Sequence, residues 1–167
     1  MKTSIAYCTT RSPFGDMLLV ANGDALCGIY FAGQKYEPPL ADEWREDARR
    51  AVLRAGSTQL AEYFAGARVD FDLPLAPAGT PFQHAVWNAI AAVPWSATIT
   101  YAELATRAGH PGSVRAAGAA TGRNPLTIVI PCHRIVGANG ALTGYAGGLD
   151  RKRALLALEQ TRARRAA

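Results

Sequence analysis

Three short apolar runs open the chain, and turn-forming residues separate them: 4–9 and 16–21 flank Ser12-Pro13-Phe14-Gly15, and 25–31 follows Asn22-Gly23-Asp24. Runs of this length between Gly, Pro and Asn/Asp clusters predict a small antiparallel meander. A polar stretch then predicts a helix over 42–54 and a second beginning at Ser57, with Leu60, Tyr63 and Phe64 on one face. Val69-Asp70-Phe71-Asp72-Leu73 alternates with period two, as a strand does. Leu73-Pro74-Leu75-Ala76-Pro77-Ala78-Gly79 has no periodicity and two prolines, so a domain boundary falls there.

After it the pattern turns helical. Thr80 is a good N-cap with Pro81 at the first helical position, and Phe82, Val86, Ile90 and Val93 keep one face apolar until Pro94. Thr100 and Glu103 form a capping box that opens a short helix over 101–108. Gly109-His110-Pro111-Gly112 breaks the chain, Ser113 can cap a third helix to about Thr121, and a last helix from Asp150 carries Leu155, Leu156 and Leu158. The expected fold is α+β. A domain over 1–78, with a three-stranded antiparallel sheet and helices, precedes a mainly α-helical domain over 79–167 that contains a helix-turn-helix.

Composition narrows the class. The 167 residues, 49% of them hydrophobic, suit one ordinary domain or two small ones whose core needs no disulfides. Cys8, Cys27 and Cys132 are an odd, sparse set, and the opening MKTSIAYCTTRSPFG has no signal-type apolar run, which predicts a cytoplasmic protein with reduced thiols. Every hydrophobic segment is interrupted before the ~18 residues of a membrane span, which argues against a membrane role. The net charge of +5 is unevenly placed: 1–79 holds 8 Lys and Arg against 10 Asp and Glu, while 80–167 holds 10 against 3, balances of −2 and +7. Positive charge gathered in one half suggests a phosphate-rich partner, although Arg162, Arg164 and Arg165 also read as a solvated basic tail.

The most informative segment is Ile128-Val129-Ile130-Pro131-Cys132-His133-Arg134, an apolar extended run that ends in a thiol with an imidazole beside it. A thiol is mostly protonated at neutral pH, so a nucleophilic role needs a neighbouring base or positive charge, for which His133 and Arg134 are candidates. Taken alone the pattern leaves an inert buried cysteine equally open.

Pro131-Cys132-His133-Arg134, preceded by Asn124-Pro125 and followed by Gly144-Tyr145-Ala146-Gly147-Gly148-Leu149, resembles the active-site signature of the O6-alkylguanine-DNA alkyltransferases, also called methylated-DNA–protein-cysteine methyltransferases. The agreement extends through 82–87, Thr100-Tyr101, Arg115-Ala116-Ala117-Gly118, Leu155-Leu156 and Glu159 at the family's spacings, over roughly the last 80 residues. The first half resembles the family loosely, mainly in Ser12-Pro13-Phe14-Gly15 and Tyr63-Phe64.

The resemblance implies that Cys132 accepts an alkyl group from O6-alkylguanine in a reaction that consumes the protein, and it leaves activity on O4-alkylthymine open. His133 would draw the thiol proton through a water, Glu159 would orient the imidazole, and Asn124 would stabilise the turn that presents the cysteine. Tyr101 would swing the target phosphate and lie near the flipped base, and Arg115 would fill the vacated stack. A slender helix of Ala116, Ala117, Gly118, Ala119 and Ala120 would enter the minor groove. Tyr145, Ala146 and Gly147 would line the substrate pocket, and Arg134 would contact phosphate or brace the site. The implied partner is double-stranded DNA carrying alkylated bases, with no obligatory protein partner, a monomeric chain, no cofactor and no metal.

Several residues keep a structural reading. Trp87 and Trp95 read as core aromatics, and the isolated His84 and His110 as surface or hydrogen-bonded groups. Cys8 and Cys27 could lie on adjacent strands, but their spacing matches no compact zinc pattern. Pro94-Trp95-Ser96 and Ala146 depart from the family's usual residues, which bears on substrate range. Two other functions compete: a relative that binds alkylated bases without repairing them, against which Cys132 argues, and a cysteine hydrolase, for which the chain shows no oxyanion hole or peptide cleft.

Overall fold

The second of the opening runs becomes the most buried strand of a computed structural model that describes residues 4–166. Residues 1–3 and 167, the outer ends of the two expected domains, lie outside the described residues. The chain divides into two units, Met1–Ala78 and Gly79–Ala167.

In the first unit β1 (Ile5–Thr10), β2 (Met17–Asn22) and β3 (Ala25–Phe31) pair antiparallel, with Cys8 opposite Leu19 and Leu19 opposite Ile29. β2 is buried from Met17 through Ala21 because both faces of the sheet are covered there. On one face lies α1 (Ala51–Ala65), where buried Gly56 allows the close approach: a Cβ at Gly56 would stand 2.9 Å from a Leu19 methyl. On the other face, Leu18 lines a groove with Pro38, Pro39 and Leu40. Cys8 and Cys27 sit on β1 and β3, on either side of β2, and are therefore not on adjacent strands.

Three expectations for this unit are corrected. The meander gains a fourth strand, β4 (Arg45–Glu46), parallel to β1 at the sheet edge, in the order β3-β2-β1-β4. The helix expected over 42–54 is absent over 42–50, and its last residues run on into the helix expected from Ser57 as the single helix α1. The Asp47 carboxylate accepts the backbone N–H groups of Arg49 and Arg50 in a local turn, and Asp47 N–H donates to Tyr7. A polar stretch with no apolar face thus gives its backbone to the sheet edge rather than to a helix. The alternating segment 69–73 is not a strand. Gln59 takes the backbone of Asp72 with both ends of its amide, and only Leu75, between two prolines, bridges to Leu26.

In the second unit α2 (Pro81–Ala91) opens with a complete capping box between Thr80 and Gln83. β5 (Ile99–Thr100) leads into α3 (Tyr101–Arg107), capped reciprocally by Thr100 and Glu103. A turn with Gly109 at φ 83° connects α3 to α4 (Val114–Gly122), giving the helix-turn-helix, although Ser113 makes no side-chain cap. Trp87 belongs to the core and donates its indole N–H to Ala120, fastening α2 to α4. β6 (Ile135–Val136) pairs parallel with β5, and α5 (Leu149–Ala166) closes the unit.

Candidate active site

The cysteine segment is built around one asparagine. Asn124 Oδ1 accepts Leu126 N–H at 2.9 Å, while its Nδ2 donates to Ile130 O at 2.7 Å and to Cys132 Sγ at 3.1 Å. Ile130 N–H closes back on Leu126 O at 2.8 Å, so 126–130 is a tight turn in which Ile128 takes φ 74°. A β-branched residue in the left-handed region carries strain on the order of 1–3 kcal/mol. The burial of Leu126, Ile128 and Ile130 and the three bonds of Asn124 hold it there. Pro131 then starts a 3-10 turn, Cys132–Arg134, that brings all three side chains into the interior.

His133 is fully buried and donates Nε2–H to Glu159 Oε1 at 2.7 Å. Its other ring nitrogen, Nδ1, is bonded to no group of the described residues. With the carboxylate on Nε2, the neutral ring has its lone pair on Nδ1, which is the arrangement of a proton acceptor. Burial, joined by the charges of Arg134 and Lys152, pushes the imidazole below its usual range against the pull of Glu159. Burial would raise the Glu159 carboxyl, but the hydrogen bonds and charges of His133 and Arg134 prevail and hold it down at about 2. Burial also raises the Cys132 thiol, more than Asn124 and the Lys152 charge lower it. At rest the group is therefore a protected thiol beside a neutral base, not a standing thiolate.

Arg134 does not lie where a phosphate contact requires. Its guanidinium is buried, with Nε and one terminal nitrogen on the two oxygens of Glu159 at 3.0 and 2.9 Å and the other on Val93 O at 2.7 Å. Of the readings offered for it, bracing the site is the one this geometry supports.

Lys152 is the residue that the sequence reading missed. It is completely buried, and its ammonium donates to Ile135 O, Thr143 O and Gly144 O. It lies 5.9 Å from the centre of the Tyr101 ring, and Tyr101 Oη also donates to Thr143 O. Burial lowers this amine to about 8, though the nearby Cys132 favours its charged form. The loop carrying Tyr145, Ala146 and Gly147 is thus anchored at its start by Lys152 and Tyr101, and at Gly147 O by Arg151. A signal was available: Lys152, Leu155, Leu156 and Glu159 stand at i, i+3, i+4 and i+7, which places two charges on the apolar stripe of α5.

On α4, Arg115, Ala116 and Ala119 are exposed, Gly118 is half-buried, and Ala117 and Ala120 pack inward. The structure therefore sets Asn124 on Cys132 and joins His133, Arg134 and Glu159 in a buried cluster at the same turn, with Lys152 buried near Cys132 and Tyr101 at the same loop, and sets Arg115 apart on a surface helix. His84 stacks edge-on against Trp87, and His110 against Phe82. Among the described residues there is no group of three His, Cys, Asp or Glu able to hold a metal, and no helix long and apolar enough to cross a membrane.

Comparison with known proteins finds matches to both units. Residues 81–161 match the family model described as 6-O-methylguanine DNA methyltransferase, DNA binding domain, and residues 5–77 its ribonuclease-like domain. The chain is 44% identical over 159 residues to the methylated-DNA–protein-cysteine methyltransferase of Mycobacterium tuberculosis, covering 95% of this chain and 94% of that protein. It is 46% identical over 153 residues to the protein of the same name from Methanosarcina acetivorans, covering 92% and 97%. The crystal structure of Mycobacterium tuberculosis OGT in complex with DNA superposes with a TM-score of 0.88 at 43% identity, covering 94% of both chains. The resemblance, strong in the second half and loose in the first when read from motifs, thus extends over both units, and the chain belongs to the 6-O-methylguanine DNA methyltransferase family.

Proposed function

We propose that the protein repairs O6-alkylated guanine in double-stranded DNA by moving the alkyl group, once per molecule, onto Cys132. The observation that carries this reading is the buried network in which Asn124 holds the sulfur while the adjacent His133, fixed by Glu159, offers Nδ1 as a base. In the reaction the Cys132 Sγ–carbon bond forms as the carbon–O6 bond breaks, the thiol proton passes to His133, and guanine leaves with the bonding pair on O6. Transfer at an sp³ carbon suits a soft sulfur nucleophile, and the thioether product has no good leaving group, so the thiol is not regenerated. The acceptor belongs to the chain itself, so the chemistry calls for no cofactor. A thiol raised by burial stays unreactive until a substrate reaches it, as a single-use acceptor requires.

Reaching O6 inside a duplex means turning the nucleotide out, at a cost of a few kcal/mol. Arg115 and the exposed Ala116 and Ala119 of α4 form the surface that meets the DNA, with Arg115 entering the vacated stack. Tyr101 and the loop of Tyr145, Ala146 and Gly147 receive the base. The protein works as a single chain in the cytoplasm, where its acceptor thiol is kept reduced.

The test is mass spectrometry after mixing the protein with a duplex that contains O6-methylguanine. One methyl group per chain, on the peptide with Cys132 and absent in Cys132→Ala, is the expected result. A methyl on Cys8 or Cys27, or repeated turnover by one molecule, would refute it.

A further inference from the structure

An arginine is rarely buried unless its charge is used, and in this site its use is electrostatic. The Glu159 carboxylate, itself fully buried, receives four donors: His133 and Arg134 on Oε1, Arg134 and Ser96 N–H on Oε2. Arg134 makes two of these bonds in the planar fork that suits a carboxylate, and its remaining amino group is fixed on Val93 O. The charged and titratable groups that face His133 are Glu159 and Lys152 from α5, and Cys132 and Arg134 from its own turn. Glu159 and Arg134 cancel, and Lys152 leaves one positive charge. Protonating His133 at rest would add a second cation to a buried site.

We propose that Arg134 is a positioning residue of the transfer reaction: by cancelling the charge of Glu159 it keeps His133 uncharged at rest, with Nε2–H on Glu159 and Nδ1 as a ready proton acceptor. This rests on the roles of Cys132 and His133 proposed above. The orientation of the ring needs only Glu159; its charge state needs Arg134. Without the guanidinium, the buried carboxylate would lose the cation that balances it, and the His133–Glu159 pair would take up a proton rather than leave an anion uncompensated. The base would then be occupied before the thiol could use it. Burial and the Arg134 and Lys152 charges, all of which disfavour imidazolium, act in the direction that this role requires.

The experiment follows transfer from an O6-methylguanine duplex between about pH 5 and 9, alongside the NMR titration of His133 in histidine-labelled protein. In the wild type the acid limb lies below the ordinary imidazole range. In Arg134→Gln both the limb and the His133 titration move up by at least about one unit, so on the acid side of the limb the rate falls about tenfold or more and recovers as pH rises. Arg134→Lys, which keeps the charge, retains the low limb even if its rate drops. Arg134→Gln combined with Glu159→Gln, which removes the anion, returns it. An Arg134→Gln protein whose rate falls by one factor at every pH, with His133 titrating as in the wild type, would overturn the proposal. Should Arg134→Gln fail to fold by circular dichroism, the other two variants decide, and an upward shift in either refutes it. The titration is read without any transfer, so an alkyl group mapped to another residue of the wild type would sink the reading of Cys132 and be seen separately.

Discussion

Arg115 stands exposed in the first turn of α4, outside the buried network that holds Arg134 and Lys152. A guanidinium at that place can enter a base stack, and if it fills the gap left by the flipped nucleotide, its loss leaves the flipped state uncompensated. Even ~1.4 kcal/mol is a tenfold change in the extrahelical population. Arg115→Ala is therefore expected to slow transfer from duplex DNA by about tenfold or more while leaving transfer from free O6-benzylguanine almost unchanged, since the free base needs no flipping. Second-order rate constants for both substrates decide it, and equal losses would assign Arg115 to the fold. At this scale the sequence was informative wherever a motif fixes the partner: Asn124, Cys132, His133 and Glu159 were singled out together, and the structure bonds them as two buried pairs, Asn124 to Cys132 and His133 to Glu159, at one turn. It was silent on direction. Nothing in Pro131-Cys132-His133-Arg134 says that the arginine turns inward to the same carboxylate as the histidine, and a lysine inside a basic run, Arg151-Lys152-Arg153, looks like surface until its helical phase is counted.

The elements that were legible are those with caps or a continuous apolar face. α2 begins at the N-cap read from Thr80 and α3 at the capping box read from Thr100, and α4 follows the glycine turn. The segment 42–50 was not legible, because its outcome depends on a sheet edge supplied by β1, and a period count over polar residues sees no such partner. α4 carries a further test because its glycine has two readings, close packing inside the protein and slenderness toward DNA. A Cβ at Gly118 would lie 3.8 Å from the Tyr101 ring, an ordinary contact, so packing does not require the glycine. A mid-helix Gly costs about 0.5–1 kcal/mol relative to Ala, so Gly118→Ala should raise Tm by about 1–4 °C. Ala119→Leu, on the outward face, should leave Tm nearly unchanged yet slow transfer from duplex DNA, with the free-base reaction unaffected. An Ala119→Leu protein that repairs duplex DNA at the wild-type rate would show that α4 does not lie against the duplex.

Across the whole molecule, the charge asymmetry read from the sequence persists but changes in kind once the buried charges are known. Of the ten cations in 80–167, Arg134 and Lys152 are buried, as is Glu159, one of the three anions. Eight cations remain outside the core, against Glu103 and Asp150, a balance of +6. Each phosphate neutralised by one of these releases condensed counterions, with a logarithmic slope of about −0.9 per contact. If about four to six of the eight reach the duplex, affinity for undamaged DNA falls about 10²- to 10³-fold between ~50 and ~200 mM salt. The contributors can be told apart. Arg115 opens the surface proposed to face DNA, and Arg123 is the exposed cation at the other end of the same helix, so replacing either with Gln should lower the slope by about one contact. Arg162, Arg164 and Arg165 near the end of α5 are the solvated-tail alternative, and replacing all three with Gln should leave the slope as it was. Fluorescence anisotropy of a labelled duplex across the salt range measures every one of these slopes. A flat dependence in the wild type removes the electrostatic argument, and a slope lost with the three tail arginines but kept in the α4 variants moves the DNA-facing surface from α4 to the end of α5.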